Sequence, residues 1–244
     1  MEIYCGIVYI LFMKMETKIS FWVKVSVSIA FTIVLLSLIK VGVDYLTFRY
    51  YLTRKEKIEL EYLKKITYYN LLKNQVNFYR DVTNISDYIK RNNFYHDEIN
   101  NYELALAIVQ ESYKKKLDPY LIVAIMDVES DFRPDGVSIK GAKGLMQIKD
   151  DTAKYIAVKE NMNVSTNKIN DLLINVKLGI SYYSYLLKKF DGNHKYTLIA
   201  YNLGVNKVYS LMTSKIDLPK SYYYKVKNRY NYITKLYQKV PLNI

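Results

Sequence analysis

Glu129 is the residue of this sequence best placed to do chemistry. Between Asp118 and Ile148 the sequence predicts a short apolar helix that ends near Glu129, then a polar loop and a glycine-rich turn. Ile122 and Ile125 share a helix face with Glu129, because the three residues fall at i, i+3 and i+7. Burial beside apolar side chains and the negative end of the helix dipole both favour a neutral carboxyl group. A carboxylic acid that keeps its proton near neutral pH is suited to protonate a glycosidic oxygen.

Two further groups of residues accompany this acid. Ser138 lies nine residues beyond Glu129, and the stretch Gly141–Ile148 then reads GAKGLMQI. Its glycines permit tight turns close to a ligand. The Gln147 amide offers both donors and acceptors to the acetamido and hydroxyl groups of an amino sugar. A later block, Ala200–Gly204, reads AYNLG.

This combination of residues resembles the soluble lytic transglycosylase (SLT) family, lysozyme-like enzymes that cut peptidoglycan, across roughly residues 103–230. The resemblance implies a mainly α-helical domain of the lysozyme-like α+β superfamily. It also implies that Glu129 is the catalytic acid and that the substrate is bound by Ser138, Met146, Gln147, Tyr201 and Asn202. In the family the tyrosine hydrogen-bonds the region of the acid, and the asparagine shapes the sugar cleft.

The sequence departs from the family pattern in three places. Leu203 stands before Gly204 where relatives usually have a small residue. Lys149 and Asp150 stand where relatives often have Met-Pro, which affects the adjoining sugar subsite. Ser221 and Tyr222 stand where relatives often have Glu-Thr. The Lys149-Asp150 departure does not affect the acid itself.

The resemblance implies cleavage between N-acetylmuramic acid (MurNAc) and N-acetylglucosamine (GlcNAc) without water, leaving a 1,6-anhydro-MurNAc end. A hydrolytic lysozyme on the same fold would instead need a second carboxylate to activate water. Asp127 is expected to point away from the Glu129 face, and Asp131 and Asp135 lie in a loop where solvated turn roles are usual. A non-catalytic wall-binding or secretion-complex scaffold that keeps the fold is a third hypothesis.

Short helices are predicted to position these residues. Asp118 is expected to cap the helix that carries Glu129, with Pro119 at its first position. The segment from Asp131 to Lys143 is predicted to be a loop, and no run of alternating residues predicts a strand. The other predicted helices are Tyr102–Lys115, one starting at Asp151, Asp171–Phe190, His194–Leu203, and one opened by Pro219.

An apolar run from Phe21 to Val43 is long enough to span a bilayer as a helix. Its two charges, Lys24 and Lys40, lie near its ends, where lysine stems can reach the headgroups. Because no small-residue cleavage site follows, we predict an uncleaved signal anchor. Positive charges after the run favour a cytoplasmic C-terminal domain, but long domains are translocated largely regardless of charge. The proposed wall substrate favours a single-pass cell membrane protein with its catalytic domain in the periplasm or cell wall.

The predicted organisation has four segments. Residues 1–18 are a short cytoplasmic leader, with Met13 or Met15 as alternative start residues; 19–44 are the anchor, 45–100 a helical stalk and 101–244 the catalytic domain. The apolar residues of the stalk recur at helical spacings, but too irregularly to predict a coiled coil.

Cysteine and histidine are too sparse for a disulfide or a metal site. Cys5 is the only cysteine, and His96 and His194 lack ligand spacing, so we expect no cofactor and no metal. The formal net charge of +13 suits nucleic acid, anionic lipid or an acidic wall polymer, and charge alone does not choose among them. The family resemblance favours peptidoglycan glycan strands and the membrane as partners and no nucleic acid. It leaves a cell-wall or secretion-machinery partner open.

Overall fold

The computed structural model describes residues 2–92, 98–162 and 171–244, and of residues 2–20 and 98–100 chiefly the backbone. These residues form eight α-helices: α1 Glu2–Asn92, α2 Glu98–Lys114, α3 Pro119–Ser130, α4 Asp150–Lys159, α5 Leu172–Lys189, α6 His194–Leu203, α7 Val205–Thr213 and α8 Ser221–Leu236. The prediction of a mainly helical protein is therefore confirmed. The chain divides into two units, Met1–Leu72 and Lys73–Ile244.

The first unit consists of helix α1 up to Leu72. From Phe21 onward the segment is long and apolar enough to cross a membrane by length and composition, and none of the apolar window is buried within the protein. Phe21, Leu36 and Val41 are each more than half exposed. The predicted anchor between residues 19 and 44 thus lies on an exposed apolar helix.

The second unit begins at Lys73, before the boundary expected at residue 101. Val82, Ile85, Tyr88 and Ile89 have no exposed surface and belong to the hydrophobic core. These residues recur at spacings of three, three and one, which places them on one face of α1. Residues 73–92 of α1, which the sequence assigned to the stalk, therefore belong to the folded domain, and their apolar face packs in its core. Residues 93–97, at the end of the predicted stalk, lie outside the described residues.

Helix α3 lies at the centre of the second unit. Every residue from Tyr120 to Met126 is at most 1% exposed, as expected for a helix that is apolar on all sides. As predicted, Asp118 caps its first turn, accepting a hydrogen bond from the Tyr120 amide at 3.0 Å, and Pro119 occupies the first turn. Helices α2 and α8 pack against α3. Glu129 is thus attached to the most deeply buried element of the domain.

The remaining helices agree with the predicted elements to within a few residues, with one addition. Helix α5 is capped by Asp171, whose carboxylate accepts from the Leu173 and Ile174 amides. Helix α6 spans His194–Leu203, as predicted. Helix α7, Val205–Thr213, was not predicted; it follows Gly204, whose φ of +86° turns the chain between α6 and α7.

Candidate active site

Glu129 lies in the last turn of α3, and its carboxyl group is half-buried. The Tyr222 hydroxyl, from α8, donates a hydrogen bond to Glu129 Oε1 at 2.6 Å. Burial raises the pKa of Glu129 above its usual value, and the Tyr222 hydrogen bond opposes this increase. Burial favours the neutral acid, while the hydroxyl donor favours the carboxylate. The arrangement therefore holds one oriented carboxyl group whose proton is retained to higher pH than that of an exposed glutamate.

The backbone turns sharply directly after the acid. Asp131 and Phe132 both have positive φ, 51° and 54°, so the chain leaves α3 through a left-handed turn. Phe132 is fully buried and contacts Tyr88 edge to face, with ring centroids 6.0 Å apart. The Ser130 hydroxyl donates back to the Met126 carbonyl at 3.0 Å. These contacts fix the end of α3 and hence the position of Glu129.

Asp127 takes part in a separate ion pair. Its Oδ2 accepts a hydrogen bond from the Tyr88 hydroxyl at 2.5 Å and lies 3.2 Å from Arg229 Nη1. Burial raises the pKa of Asp127, against the opposing effects of Tyr88 and Arg229. Together with Asp131, Lys225 and Arg229, Asp127 lines a shallow hollow on the surface. Its carboxylate is thus directed toward basic groups of α8.

The loop after α3 is closed by its own polar groups. The Ser138 hydroxyl accepts from the Ala142 amide at 2.9 Å, and Ser138 is exposed. The Gln147 amide nitrogen donates to the carbonyls of Gly136 and Gly144, each at 2.9 Å. The donors of Gln147 thus serve the loop itself, whereas the sequence suggested that they would serve a sugar.

Helix α5 supports this loop through one side chain and one glycine. Asn175 Nδ2 donates to the Lys143 carbonyl at 2.9 Å, and Asn175 Oδ1 accepts from the Met146 amide at 2.8 Å. At Gly179 an added Cβ would lie 2.4 Å from Met146 Cβ, so only glycine permits this approach. Gly144, with φ of +74°, packs against Asn175 in the same way. Met146, which belongs to this loop, is consequently fully buried.

Tyr201 connects α6 to the same loop. Its hydroxyl donates to the Met146 carbonyl at 2.9 Å, and its ring packs against Tyr182 at 5.3 Å between centroids. Burial, with a smaller contribution from the negative charge of Glu129, raises the pKa of Tyr201. Asn202, the next residue, is exposed. The structure thus brings Tyr201 into the electrostatic environment of the acid, but its hydrogen bond goes to Met146.

Tyr222 was not identified as a site residue from the sequence. It stands 93 positions beyond Glu129 and at a place where the sequence departs from the family pattern. Among the described residues, no group of three or more His, Cys, Asp and Glu side chains is arranged to hold a metal ion.

Comparisons with known proteins agree with this geometry. A family model described as Transglycosylase SLT domain matches residues 106–223. The chain is 27% identical over 121 residues to membrane-bound lytic murein transglycosylase D of Escherichia coli (strain K12), covering 50% of this chain and 26% of the relative. It is 26% identical over 101 residues to membrane-bound lytic murein transglycosylase F of Haemophilus influenzae (strain PittGG), covering 39% of this chain and 19% of that protein.

A solved structure has the same fold. The 70 kDa soluble lytic transglycosylase of Escherichia coli superposes with a TM-score of 0.52 at 22% identity, over 64% of this chain and 30% of that one. The chain therefore spans between 19% and 30% of the length of these three proteins.

Proposed function

The chain belongs, over residues 106–223, to the Transglycosylase SLT domain family, and from that premise we propose that it is a membrane-anchored lytic transglycosylase of peptidoglycan. The observation that carries the proposal is the single half-buried carboxyl group of Glu129, oriented by Tyr222. A buried acid held in one orientation is the group that cleavage of a glycosidic bond requires. The names of the curated relatives support the same reaction and substrate.

The proposed reaction uses Glu129 twice. The neutral acid, with Tyr222 occupying Oε1, donates its proton from Oε2 to the oxygen that joins MurNAc to GlcNAc. The bond between that oxygen and the MurNAc anomeric carbon breaks, and GlcNAc leaves with the proton as a hydroxyl. The carboxylate then takes the proton of the MurNAc 6-hydroxyl, whose oxygen bonds to the anomeric carbon and closes the 1,6-anhydro ring. Glu129 ends protonated, and no water is consumed.

The arrangement of carboxylates supports this reaction over hydrolysis. A glycoside hydrolase needs two carboxyl groups that flank the scissile bond. Asp127 is held by Tyr88 and Arg229, away from the acid. Asp131 and Asp135 are exposed on the loop. Internal attack by the MurNAc 6-hydroxyl needs neither a second carboxylate nor a bound water.

The loop and α6 are proposed to form the sugar-binding surface around the acid. Ser138 is exposed on the loop, and Asn202 is exposed at the end of α6. Both side chains can contact a ligand directly. The Tyr201 hydroxyl donates to the Met146 carbonyl, and the Gln147 amide donates to carbonyls of the loop backbone. We therefore assign these three to the shape of the cleft rather than to direct hydrogen bonds with the glycan.

Digestion of purified peptidoglycan tests the reaction. We expect muropeptides that end in 1,6-anhydro-MurNAc, which are one water lighter than hydrolysed ends and resist borohydride reduction. Mass spectrometry before and after reduction distinguishes the two products. Glu129→Gln should fold and lose activity by about 10²–10⁴-fold, because the amide cannot donate the proton.

Two variants serve as matched controls. Asp131→Asn and Asp135→Asn should each keep most activity, since neither carboxylate takes part. Reducible MurNAc ends would establish a hydrolase instead. A Glu129→Gln protein as active as the wild type would remove Glu129 from the mechanism, and a wild-type protein that binds but never cleaves the wall would establish a scaffold.

The same proposal places the catalytic unit outside the cytoplasm, because the substrate is there. The exposed apolar segment between residues 19 and 44 would anchor the chain. A reporter that is active only outside the cytoplasm, fused after Ile244, should be active and should fractionate with membranes. Activity of a cytoplasmic reporter at the same position would contradict both the topology and the substrate.

A further inference from the structure

One face of helix α1 in the first unit carries a continuous apolar stripe that nothing in the described chain covers. Within Phe48–Leu72, positions spaced alternately three and four residues apart hold Phe48, Tyr51, Lys55, Ile58, Tyr62, Lys65, Tyr69 and Leu72. Six of these eight are apolar or aromatic, and each of the six is exposed, Phe48 at 59%, Ile58 at 59% and Tyr69 at 68%. This is the spacing that the seam of a coiled coil requires, although two lysines interrupt it.

The surface of α1 adds an observation that the sequence spacing did not supply. The side chains of Tyr51, Arg54, Lys55, Ile58, Glu59 and Tyr62 surround a hollow on this face of the helix. In a heptad numbering with Lys55 at a and Ile58 at d, these six residues form two overlapping four-residue holes. The first consists of Tyr51, Arg54, Lys55 and Ile58, and the second of Lys55, Ile58, Glu59 and Tyr62. In a parallel coiled coil an a side chain enters a hole of the first kind and a d side chain a hole of the second kind. The hollow therefore fits Lys55 and Ile58 of an identical helix.

The charges beside the stripe determine how a second helix would align. In a parallel pair, a g residue faces the e residue five positions later on the partner helix. Arg54 is at g and Glu59 is at e, so each Arg54 would meet a Glu59 of the other copy. Sliding one helix by a heptad in either direction would place Leu52 or Ile66 opposite Arg54. Among the parallel arrangements, only the unshifted one pairs these two charges.

The opposite face of the helix lacks this character. Its b, c and f positions over the same stretch hold four apolar or aromatic residues among eleven, Tyr50, Leu60, Leu63 and Leu71. The two lysines in the stripe can extend their ammonium groups past the seam to water, and a lysine at a core position is known to favour one register at some cost in stability.

We propose that the segment Phe48–Leu72 pairs with the same segment of a second copy of this chain as a parallel, in-register coiled coil. At a rise of 1.5 Å per residue the seam is about 37 Å long. Two copies anchored in one membrane by the preceding apolar segment would already be parallel, which reduces the entropic cost of pairing. The pairing does not depend on the activity of Glu129.

Cysteine cross-linking of the full chain in membranes tests the pairing. In a Cys5→Ser background, Ile58→Cys places the thiol in the seam, and Leu60→Cys places it on the opposite face; the native side chains are similarly exposed, at 59% and 53%. Mild oxidation should give at least about fivefold more covalent dimer with Ile58→Cys, because a disulfide needs Cα atoms within about 7 Å. Equal yields from the two variants, or a cross-link to a different protein, would overturn the proposal.

Two further measurements test the alignment. Tyr51→Cys and Leu72→Cys should each cross-link to themselves, whereas in an antiparallel pair at most one position along the stripe does so. Arg54→Glu and Glu59→Arg should each lower the Ile58→Cys dimer yield, by roughly two- to fivefold, and the double exchange should restore it. Failure of the double exchange to restore the yield, or self-cross-linking at only one position, would rule out the parallel in-register pair. Assays of wall digestion by the same variants test the proposed function independently of the pairing.

Discussion

Tyr222 and burial act on the Glu129 carboxyl group in opposite directions. Burial raises the pKa of Glu129, while the hydroxyl, 2.6 Å from Oε1, lowers it by stabilising the carboxylate. A residue that is acid in one step and base in the next works best when its pKa lies near the operating pH. The tyrosine thus limits how strongly burial can favour the acid form, and it occupies Oε1, which leaves Oε2 for the proposed proton transfer.

Replacement of Tyr222 by phenylalanine should shift the pH profile of wall cleavage. The hydrogen bond lowers the pKa of Glu129, so its removal raises that pKa. Activity requires the protonated acid and falls as pH rises through its pKa, so the alkaline limb of the profile should move to higher pH. The maximal rate should fall by roughly 10- to 150-fold, because a hydrogen bond to a charged group contributes about 1.5–3 kcal/mol.

Measuring initial rates of wall cleavage against pH separates these two effects. Tyr224→Phe is the matched control, because Tyr224 is exposed on the same helix. An alkaline limb that stays in place or moves to lower pH in Tyr222→Phe would show that the tyrosine does not control the ionisation of Glu129.

Glu129 and Tyr222 differ in how far the sequence could identify them as site residues. Glu129 was predicted because the serine, the glycine-rich turn and the later tyrosine form a recognisable pattern around it. Tyr222 was not, because the contact between α3 and α8 joins residues far apart in sequence. The direction of Gln147 was also not predictable, since its φ of +46° and its bonds within the loop depend on the fold of the loop.

At the scale of elements, α5 shapes the loop through its lack of a side chain at Gly179. Gly179 accepts Met146 against its backbone, and one turn earlier Asn175 holds the loop by two hydrogen bonds. Met146 in turn accepts the hydrogen bond of Tyr201. The position of the loop relative to the acid therefore depends on the close approach of α5.

Gly179→Ala should destabilise the protein and impair wall cleavage. The added Cβ would lie 2.4 Å from Met146 Cβ, so the loop or helix must move. Overpacking of this kind costs about 1–3 kcal/mol, although alanine is the better helix former by about 1 kcal/mol. Lys188→Ala, at an exposed site on the same helix, is the control and should unfold like the wild type. Thermal unfolding followed by circular dichroism measures the difference, and a Gly179→Ala protein at least as stable as wild type would contradict the contact.

Most of the helices were predictable because their signals are local. The Asp118 cap and the stretch His194–Leu203 are found as expected, and the helix predicted from Asp171 begins one residue later, with Asp171 as its cap. Helix α7 was missed because it is short and begins directly after the helix-ending Gly204. The two isolated β-bridges of the loop, Val137 with Lys143 and Lys143 with Ile148, involve too few residues to produce an alternating pattern.

At the scale of the whole second unit, Lys239 joins the C-terminal segment to two helices. Its ammonium lies 3.0 Å from Asp81 of α1 and 3.3 Å from the α3 cap Asp118, above the ring of Tyr120. Asp81 is 1% exposed, and it also accepts hydrogen bonds from Tyr113 and Tyr120. The lysine therefore neutralises buried charge on elements far apart in sequence.

Lys239→Met should destabilise the domain strongly. The methionine keeps an apolar stem over the Tyr120 ring but removes the nearest cation from both carboxylates; Asp81 retains only the longer pair with Arg80, at 3.9 Å. Removal of one partner from a buried ion pair costs about 3–5 kcal/mol. Lys235→Met, at an exposed position on α8, should change the stability little. Urea denaturation of both variants tests this, and equal midpoints would show that the Lys239 pairs contribute nothing.

The boundary of the domain was the feature of the whole molecule that the sequence predicted least well. The stretch before residue 93 resembles the preceding exposed helix in composition, since both are charged, tyrosine-rich and free of glycine and proline. Only burial distinguishes them: Tyr62 is 64% exposed, whereas Tyr88 is fully buried. Composition does not record which tyrosines meet the core, so the change from exposed helix to core helix appears only in the packing.

The position of that change determines what a cut in the exposed helix would release. The fully buried side chains of the second unit lie at or after Asp81, and the unit begins at Lys73. A protease that cut the exposed helix anywhere between Asp44 and Leu72 would therefore shed the catalytic unit with its whole core. A cut near residue 100 would instead remove Val82, Ile85 and Tyr88 from that core. If the apolar segment anchors the chain as proposed, one cleavage in this stretch would release the second unit with its core intact.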